Sequence, residues 1–326
     1  MTIAGPDGID VLLDPADLRS GLLADARAGL TAEQKWLPPK YFYDARGSEL
    51  FEQITALEEY YPTRTEYALL ERYGGEIARA AGADTLLELG AGSARKTRLL
   101  LDGMARAGHL SGYVPVDVSS EALAEAVEGI RREYSGLYVR GVVADIEHQL
   151  AQLPTHDTRM IALLGSTLGN FCGEDRTRLL AGLADVVQPG ESLLLGVDLV
   201  KDPTRLVAAY DDPAGVTAEF NRNVLYVLNR ELGADFDPAA FEHVAHWDAD
   251  HDWIEMRLRA TAEMRVRLPA LDLEIGFDRG EHLRTEISAK FRRPPLEAEL
   301  VRAGLEPLQW WSDEHYDYGL VLAGRP

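Results

Sequence analysis

Between residues 85 and 198 the chain repeats one pattern: a short apolar run, a glycine or an acid at its end, then a stretch with helical character. The runs are Thr85–Leu89 before Gly90-Ala91-Gly92, Gly112–Val116 before Asp117, Leu137–Val143 before Ala144-Asp145, Met160–Leu164 before Gly165-Ser166-Thr167, and Glu191–Val197 before Asp198. A helix is expected to open near Ser93–Thr97, and another, Glu121–Glu133, is capped by Ser119-Ser120. Short strands alternating with helices predict an α/β fold with a parallel, doubly wound sheet. In such a sheet ligands bind beyond the carboxyl ends of the strands. The residues that end each run are therefore the first candidates for chemistry.

After Lys201 the pattern changes. Helical pieces at about 204–210 and 216–232 precede two alternating stretches, 253–258 and 262–268, that read as antiparallel strands. Beyond Phe291 a helix near 295–303 leads to strand-like runs at 308–311 and 318–323, placed to return to an edge of the first sheet. A second domain is then an insertion joined by the N-terminal segment. A length of 326 residues accommodates two such domains.

Composition narrows the class. With 33 Lys+Arg against 54 Asp+Glu the net charge is −21, which disfavours nucleic acid or an anionic membrane as main partner. The single cysteine, Cys172, excludes an internal disulfide and any C-x-x-C metal or redox motif. The opening residues lack the basic and apolar regions of a signal peptide, and no apolar run reaches the ~18 residues of a membrane span. A cytoplasmic setting is expected.

The first glycine turn is the candidate cofactor site. A strand, a Gly-x-Gly turn and a helix start present backbone N–H groups to a polar ligand. Asp117, ending the next strand, is placed to accept both hydroxyls of a ribose. Asp145 is placed to meet an adenine amino group, with Ile146 beside the ring. Nicotinamide dinucleotide binding expects a third glycine where this chain has Arg95. Glu88 makes the motif E-x-G-x-G, better suited to the cationic sulfonium and amine of S-adenosylmethionine; the nicotinamide cofactor remains the rival. Lys96 is placed to pair with a methionine carboxylate, or to be a solvated helix lysine.

Further candidates lie elsewhere. Asn170, in the loop after the fourth run, is suited to bind a carboxylate or amine through its amide, or to be an ordinary turn residue. In the extended stretch Thr285-Glu286-Ile287-Ser288, period-two alternation puts Glu286 and Ser288 on one face, able to hold the two nitrogens of an imidazole. Residues 31–66 are rich in aromatics, Trp36, Tyr41, Phe42, Tyr43, Phe51, Tyr60 and Tyr61, against a chain average of 8%. They read as pocket lining or as local core. His243, His246 and His251 with Asp248, Asp250 and Asp252 fit no common zinc spacing; a polar hairpin loop is expected and no metal is assigned.

Longer motifs carry a family resemblance. The runs Leu37-Pro38-Pro39-Lys40-Tyr41-Phe42-Tyr43-Asp44, Glu59-Tyr60-Tyr61-Pro62-Thr63-Arg64-Thr65-Glu66, Leu164-Gly165-Ser166-Thr167-Leu168-Gly169-Asn170, Phe220-Asn221-Arg222-Asn223 and Thr285–Phe291, with the E-x-G-x-G turn, resemble the histidine-specific N-alpha methyltransferases of ergothioneine biosynthesis. The resemblance covers the chain from about residue 25 to its end. It implies a class I, Rossmann-like methyltransferase sheet at about 64–200 and 290–326, and an inserted α+β substrate-binding domain at 12–63 and 201–289.

It also implies conversion of L-histidine to its trimethylated betaine, hercynine, by a chain expected to be a monomer. S-adenosylmethionine would be the methyl donor. By that resemblance Tyr60, Asn170 and Tyr210 hold the amino-acid end of the substrate, and Glu286 and Ser288 hold the imidazole. Gly90, Lys96, Asp117, Asp145 and Ile146 hold the cofactor. Tyr43, Phe51, Gly165 and Met256 line the pocket, and Tyr43, Tyr60 and Asn170 are the catalytic candidates. Tryptophan, another amino acid, is the rival substrate.

Overall fold

The strands Thr85–Leu89 and Arg159–Leu163 are buried at every position, as strands covered on both faces must be. They lie side by side and parallel at the centre of the larger sheet in a computed structural model that describes residues 8–13, 15–92 and 94–325. Ser93, named above at the start of a helix, and the first seven residues lie outside the described residues. The chain divides into two units, Met1–Leu13, Pro62–Val200 and Lys290–Pro326 in one, Asp14–Tyr61 and Lys201–Ala289 in the other.

The first unit holds the nine-stranded sheet. Across it run Ile9–Val11, Gly141–Val143, Gly112–Asp117, Thr85–Leu89, Arg159–Leu163, Ser192–Asp198, Tyr318–Gly324 and Glu306–Ser312, with Tyr138–Val139 also on Gly112–Asp117. Pairing is parallel up to Ser192–Asp198; the last two strands add an antiparallel hairpin to that edge. The strand order reverses between Thr85–Leu89 and Arg159–Leu163, and a ligand crevice forms at such a switch point.

Two readings of this unit are corrected. Residues 12 and 13 were expected in the substrate domain; instead Ile9–Val11 pairs in parallel with Gly141–Val143, and the Leu12 and Leu13 amides donate to the Val143 carbonyl. The run 137–143 was read as one strand, but it breaks at Arg140. There the guanidinium makes a two-pronged pair with the buried Asp10 carboxylate, at 2.6 and 2.7 Å.

The crossing points out of this unit are pinned within it. The Phe291 amide donates to the Asp198 carbonyl and the Val200 amide to the Phe291 carbonyl, while Lys290 pairs with Asp198 at 2.9 Å, both side chains fully buried.

The second unit combines the helices Pro15–Leu30, Ala45–Thr55, Pro203–Tyr210 and Val216–Leu232 with a three-stranded antiparallel sheet in the order His282–Ala289, Trp253–Ala260, Phe241–Asp248. A hairpin, Met264–Leu268 with Leu273–Phe277, completes it. Its core gathers Phe42, Phe220, Leu228, Phe241, Met256, Leu258 and Phe277. Among the described residues no helix is long and apolar enough to cross a membrane.

Candidate active site

In the first unit the site begins at the strand ends. Gly90 and Gly92 both take positive φ, 70° and 50°, and a Cβ at either would meet open space, so the turn leaves room above the sheet. Its path is fixed from behind: the Gly90 amide donates to the Val116 carbonyl, and the Gly92 amide to Asp117 Oδ2 at 3.0 Å. The other oxygen of Asp117 accepts from the Ser119 amide, also at 3.0 Å. Each carboxylate oxygen is thus anchored by a backbone donor, an arrangement that suits a vicinal diol. Burial raises the Asp117 pKa, opposed by these backbone donors.

Glu88 serves this turn from below. Its Oε2 accepts from Thr97 at 2.5 Å and from Tyr113 at 2.7 Å, joining the strand end to the start of the helix Thr97–Ala107. Burial pushes its carboxyl up to about 7. The sequence suggests a cationic ligand for this acid; its Oε2 is committed to positioning the turn. Asp145 caps its own turn, accepting from the Glu147 amide at 2.8 Å, and half-buried Ile146 follows it.

Lys96, placed by the sequence to pair with a methionine carboxylate, also has a partner within the protein. Its ammonium pairs with Glu66, whose side chain is fully buried in the helix Tyr61–Ala81. The other oxygen of Glu66 accepts from the Gly165 amide at 2.8 Å and from the Tyr318 hydroxyl at 2.7 Å. A Cβ on Gly196 would stand 2.0 Å from that same oxygen, so glycine there makes the space. One carboxylate therefore ties a helix, the turn after Leu163, the lysine beside the glycine turn and the last strand. Gly165 and Ser166 take positive φ, which turns the chain into the 3-10 segment Thr167–Asn170 and leaves Asn170 half-buried.

In the second unit the aromatics form a continuous series. Tyr43 meets Phe51 edge-on at 5.5 Å, Phe51 meets Tyr60 at 6.2 Å, and Tyr60 meets Tyr210 at 6.2 Å. The Tyr210 hydroxyl then hydrogen-bonds Ser288 Oγ at 2.7 Å. Register places Glu286 opposite Met256 and Ser288 opposite Ile254, so all four share one face of the sheet. Six expected substrate residues, Tyr43, Phe51, Tyr60, Tyr210, Met256 and Ser288, thus belong to one body with Glu286 beside them.

The aromatic segment is both readings at once, since Phe42 and Phe220 pack under it at 4.6 Å. Asn223 holds its loop, donating to the Phe42 carbonyl and to Asp44, which caps the helix Ala45–Thr55.

Sequence reasoning missed several residues. Glu66 was quoted only inside a motif, and nothing in the spacing to Lys96 marks them as partners. Of the three histidines, His251 lies at the hairpin turn, paired with Asp248 and stacked on Trp253. His243 is buried in the core instead, bonded to Asn221 and to the Tyr210 carbonyl.

The family model "Histidine-specific methyltransferase, SAM-dependent" matches residues 22–325. The chain is 55% identical over 304 residues to histidine N-alpha-methyltransferase of Mycolicibacterium smegmatis, covering 93% of this chain and 95% of that protein. It is 52% identical over 304 residues to the protein of the same name from Mycobacterium tuberculosis, with the same coverage. It is 29% identical over 309 residues to ergothioneine biosynthesis protein 1 of Neurospora crassa, covering 89% of this chain and 33% of that protein.

Proposed function

The chain belongs to the S-adenosylmethionine-dependent histidine-specific methyltransferases, and we propose that it trimethylates the α-amino group of L-histidine to hercynine in ergothioneine biosynthesis. The observation that carries this reading is the family match from residue 22 to residue 325, which spans both units. The first unit is the class I, Rossmann-like sheet that such chemistry uses.

The donor set of that unit fits S-adenosylmethionine. Gly90 and Gly92 leave open space at the strand end, Asp117 offers an anchored carboxylate to the ribose hydroxyls, and Asp145 with Ile146 serves the adenine. When bound, this group supplies a methyl already activated by its sulfonium charge. Lys96, paired with Glu66, reaches the methionine carboxylate as half of an ion pair rather than as a lone cation.

The remaining work belongs to substrate-binding side chains. Glu286 accepts from one imidazole nitrogen and Ser288, held by Tyr210, meets the other. Tyr60, Asn170 and Tyr210 hold the amino-acid end. The amine must be unprotonated when it attacks, and partial desolvation beside a cation lowers its pKa. Tyr43, Tyr60 and Asn170 orient its lone pair, so alignment rather than a strong base lowers the barrier. Tyrosine faces accommodate the growing positive charge through the second and third transfers.

The direct test is mass spectrometry of L-histidine incubated with the protein and S-adenosylmethionine. Products carrying one, two and three added methyls are expected. Unchanged histidine, or methylation of tryptophan in its place, would overturn the assignment. A pH–rate profile still climbing steeply well above pH 9 would remove the lowered amine pKa.

A further inference from the structure

The strand that carries Glu286 and Ser288 does not pair regularly. Arg284 lies opposite Arg257, yet Glu286 lies opposite Met256, so Thr285 is an extra residue with no partner of its own in the ladder. Such a bulge reverses the alternation of faces. In an unbroken strand Leu283 and Glu286 point to opposite sides. Here Leu283 stands opposite Leu258 and Glu286 opposite Met256, two residues on the same face of the neighbouring strand. Remove the bulge while Leu283 stays in the core, and Glu286 and Ser288 turn to the other face.

The extra residue is held by a closed set of hydrogen bonds. Thr285 is fully buried, and its hydroxyl donates to Asn221 Oδ1 at 2.6 Å, with the Met256 carbonyl 3.0 Å away. Asn221, fully buried in the helix Val216–Leu232, donates through Nδ2 to the Arg257 carbonyl at 3.1 Å and to His243 Nδ1 at 2.8 Å. His243 Nε2 donates to the Tyr210 carbonyl at 2.7 Å. A carbonyl can only accept, so the imidazole proton sits on Nε2 and Nδ1 is the acceptor. Every donor then has an acceptor and the amide orientation of Asn221 is fixed. Burial lowers the His243 pKa, in keeping with a neutral ring.

The set runs from Thr285 through Asn221 and His243 to Tyr210, whose hydroxyl returns to Ser288 on the starting strand. We propose that Thr285, Asn221 and His243 are positioning residues for histidine recognition, holding the bulge that presents Glu286 and Ser288 to the imidazole. This rests on the reading that Glu286 and Ser288 hold that ring. None of the three need touch the substrate. They set the register and the tyrosine rotation that bring the contacting groups into line.

The test compares Thr285→Val, which keeps the shape and removes the hydroxyl, with Thr285→Ser, which keeps the hydroxyl. Steady-state kinetics of the full-length enzyme with L-histidine and S-adenosylmethionine separate the outcomes. Thr285→Val is expected to raise KM for histidine about tenfold and leave KM for S-adenosylmethionine unchanged, since small displacements of binding groups are costly. Thr285→Ser is expected to recover most of the loss. Asn221→Ala is expected to raise the same KM without a matching change for the cofactor. A merely structural role instead lowers kcat in proportion to the folded fraction and leaves both KM values in place; that result would overturn the proposal. Wild-type enzyme inactive on histidine would remove the underlying reading, whereas active wild type with an unaffected Thr285→Val variant would remove this inference alone.

Discussion

On the proposed reading, the cofactor and histidine ends of the chemistry are built by different means. At the cofactor end of the first unit, backbone does the shaping: positive-φ glycines, strand ends and amides that fix the Asp117 carboxylate. At the histidine end of the second unit, side chains do it: an aromatic series, two buried asparagines and a threonine bulge. Backbone shaping accepts one ligand common to many reactions. On that reading, side-chain shaping is the part that distinguishes one amino acid from another, because a buried polar group left without its partner costs free energy.

Substitutions can break or sharpen that contrast. The largest effect is expected from Glu286→Ala: roughly a thousandfold lower kcat/KM for histidine, about 4 kcal/mol, with cofactor affinity unchanged and larger aromatic amino acids admitted. Competition assays with histidine and tryptophan read this directly, and wild-type histidine affinity in the variant would refute the imidazole role.

On the cofactor side, Lys96→Met leaves the fully buried Glu66 without its cation. A stability loss of about 3 kcal/mol is expected by chemical denaturation, because an uncompensated buried charge is costly. Lys96→Met with Glu66→Gln should restore most of it. If the single variant keeps full stability and loses only affinity for S-adenosylmethionine, the lysine serves the ligand alone.

Glu88 gives a pH signature of similar size. Its carboxyl is raised to about 7 in the folded protein, so the native state holds the proton more tightly than the unfolded chain does. Its contribution is most favourable at low pH and is lost as pH rises from the ordinary carboxylate range through about 7. Glu88→Gln, which cannot ionise, should gain on wild type by on the order of 3 kcal/mol between pH 4 and pH 8. Parallel stability curves for the two proteins would exclude this.

The smallest effect is expected from Gly196→Ala, whose methyl meets Glu66 at 2.0 Å. Crowding of this kind costs roughly 2 kcal/mol, read as a lower melting temperature with KM for histidine unchanged. A variant as stable as wild type would show that Glu66 moves aside freely.

The contrast also governs what could be read from sequence. The first unit was largely legible because glycines and acids at the ends of apolar runs mark strand ends locally. Thr85–Leu89, Gly112–Asp117 and the helix start at Ser119 follow from neighbours a few positions apart. The ion pair of Lys96 with Glu66 was not, because its partner comes from another helix and shares no periodicity with it. In the second unit the pairing of Glu286 with Ser288 on one face was legible from alternation. The bulge beside them was not, since the alternation read from Thr285 to Ser288 begins at the extra residue and cannot show the change of phase before it. Nor did any local signal separate His243, held in the core, from His251 at the exposed turn.

The pinned ends of the insertion have an architectural consequence. Residues 201–289 leave the first unit just after Val200 and return at Lys290, and the chain on either side is already joined by the Val200–Phe291 and Phe291–Asp198 hydrogen bonds and the Lys290–Asp198 pair. The cost of closing that long excursion is met by contacts inside the sheet, and it grows only slowly with length. The stretch is therefore a cassette with a fixed socket: its length can change while the strands that flank its two ends stay joined.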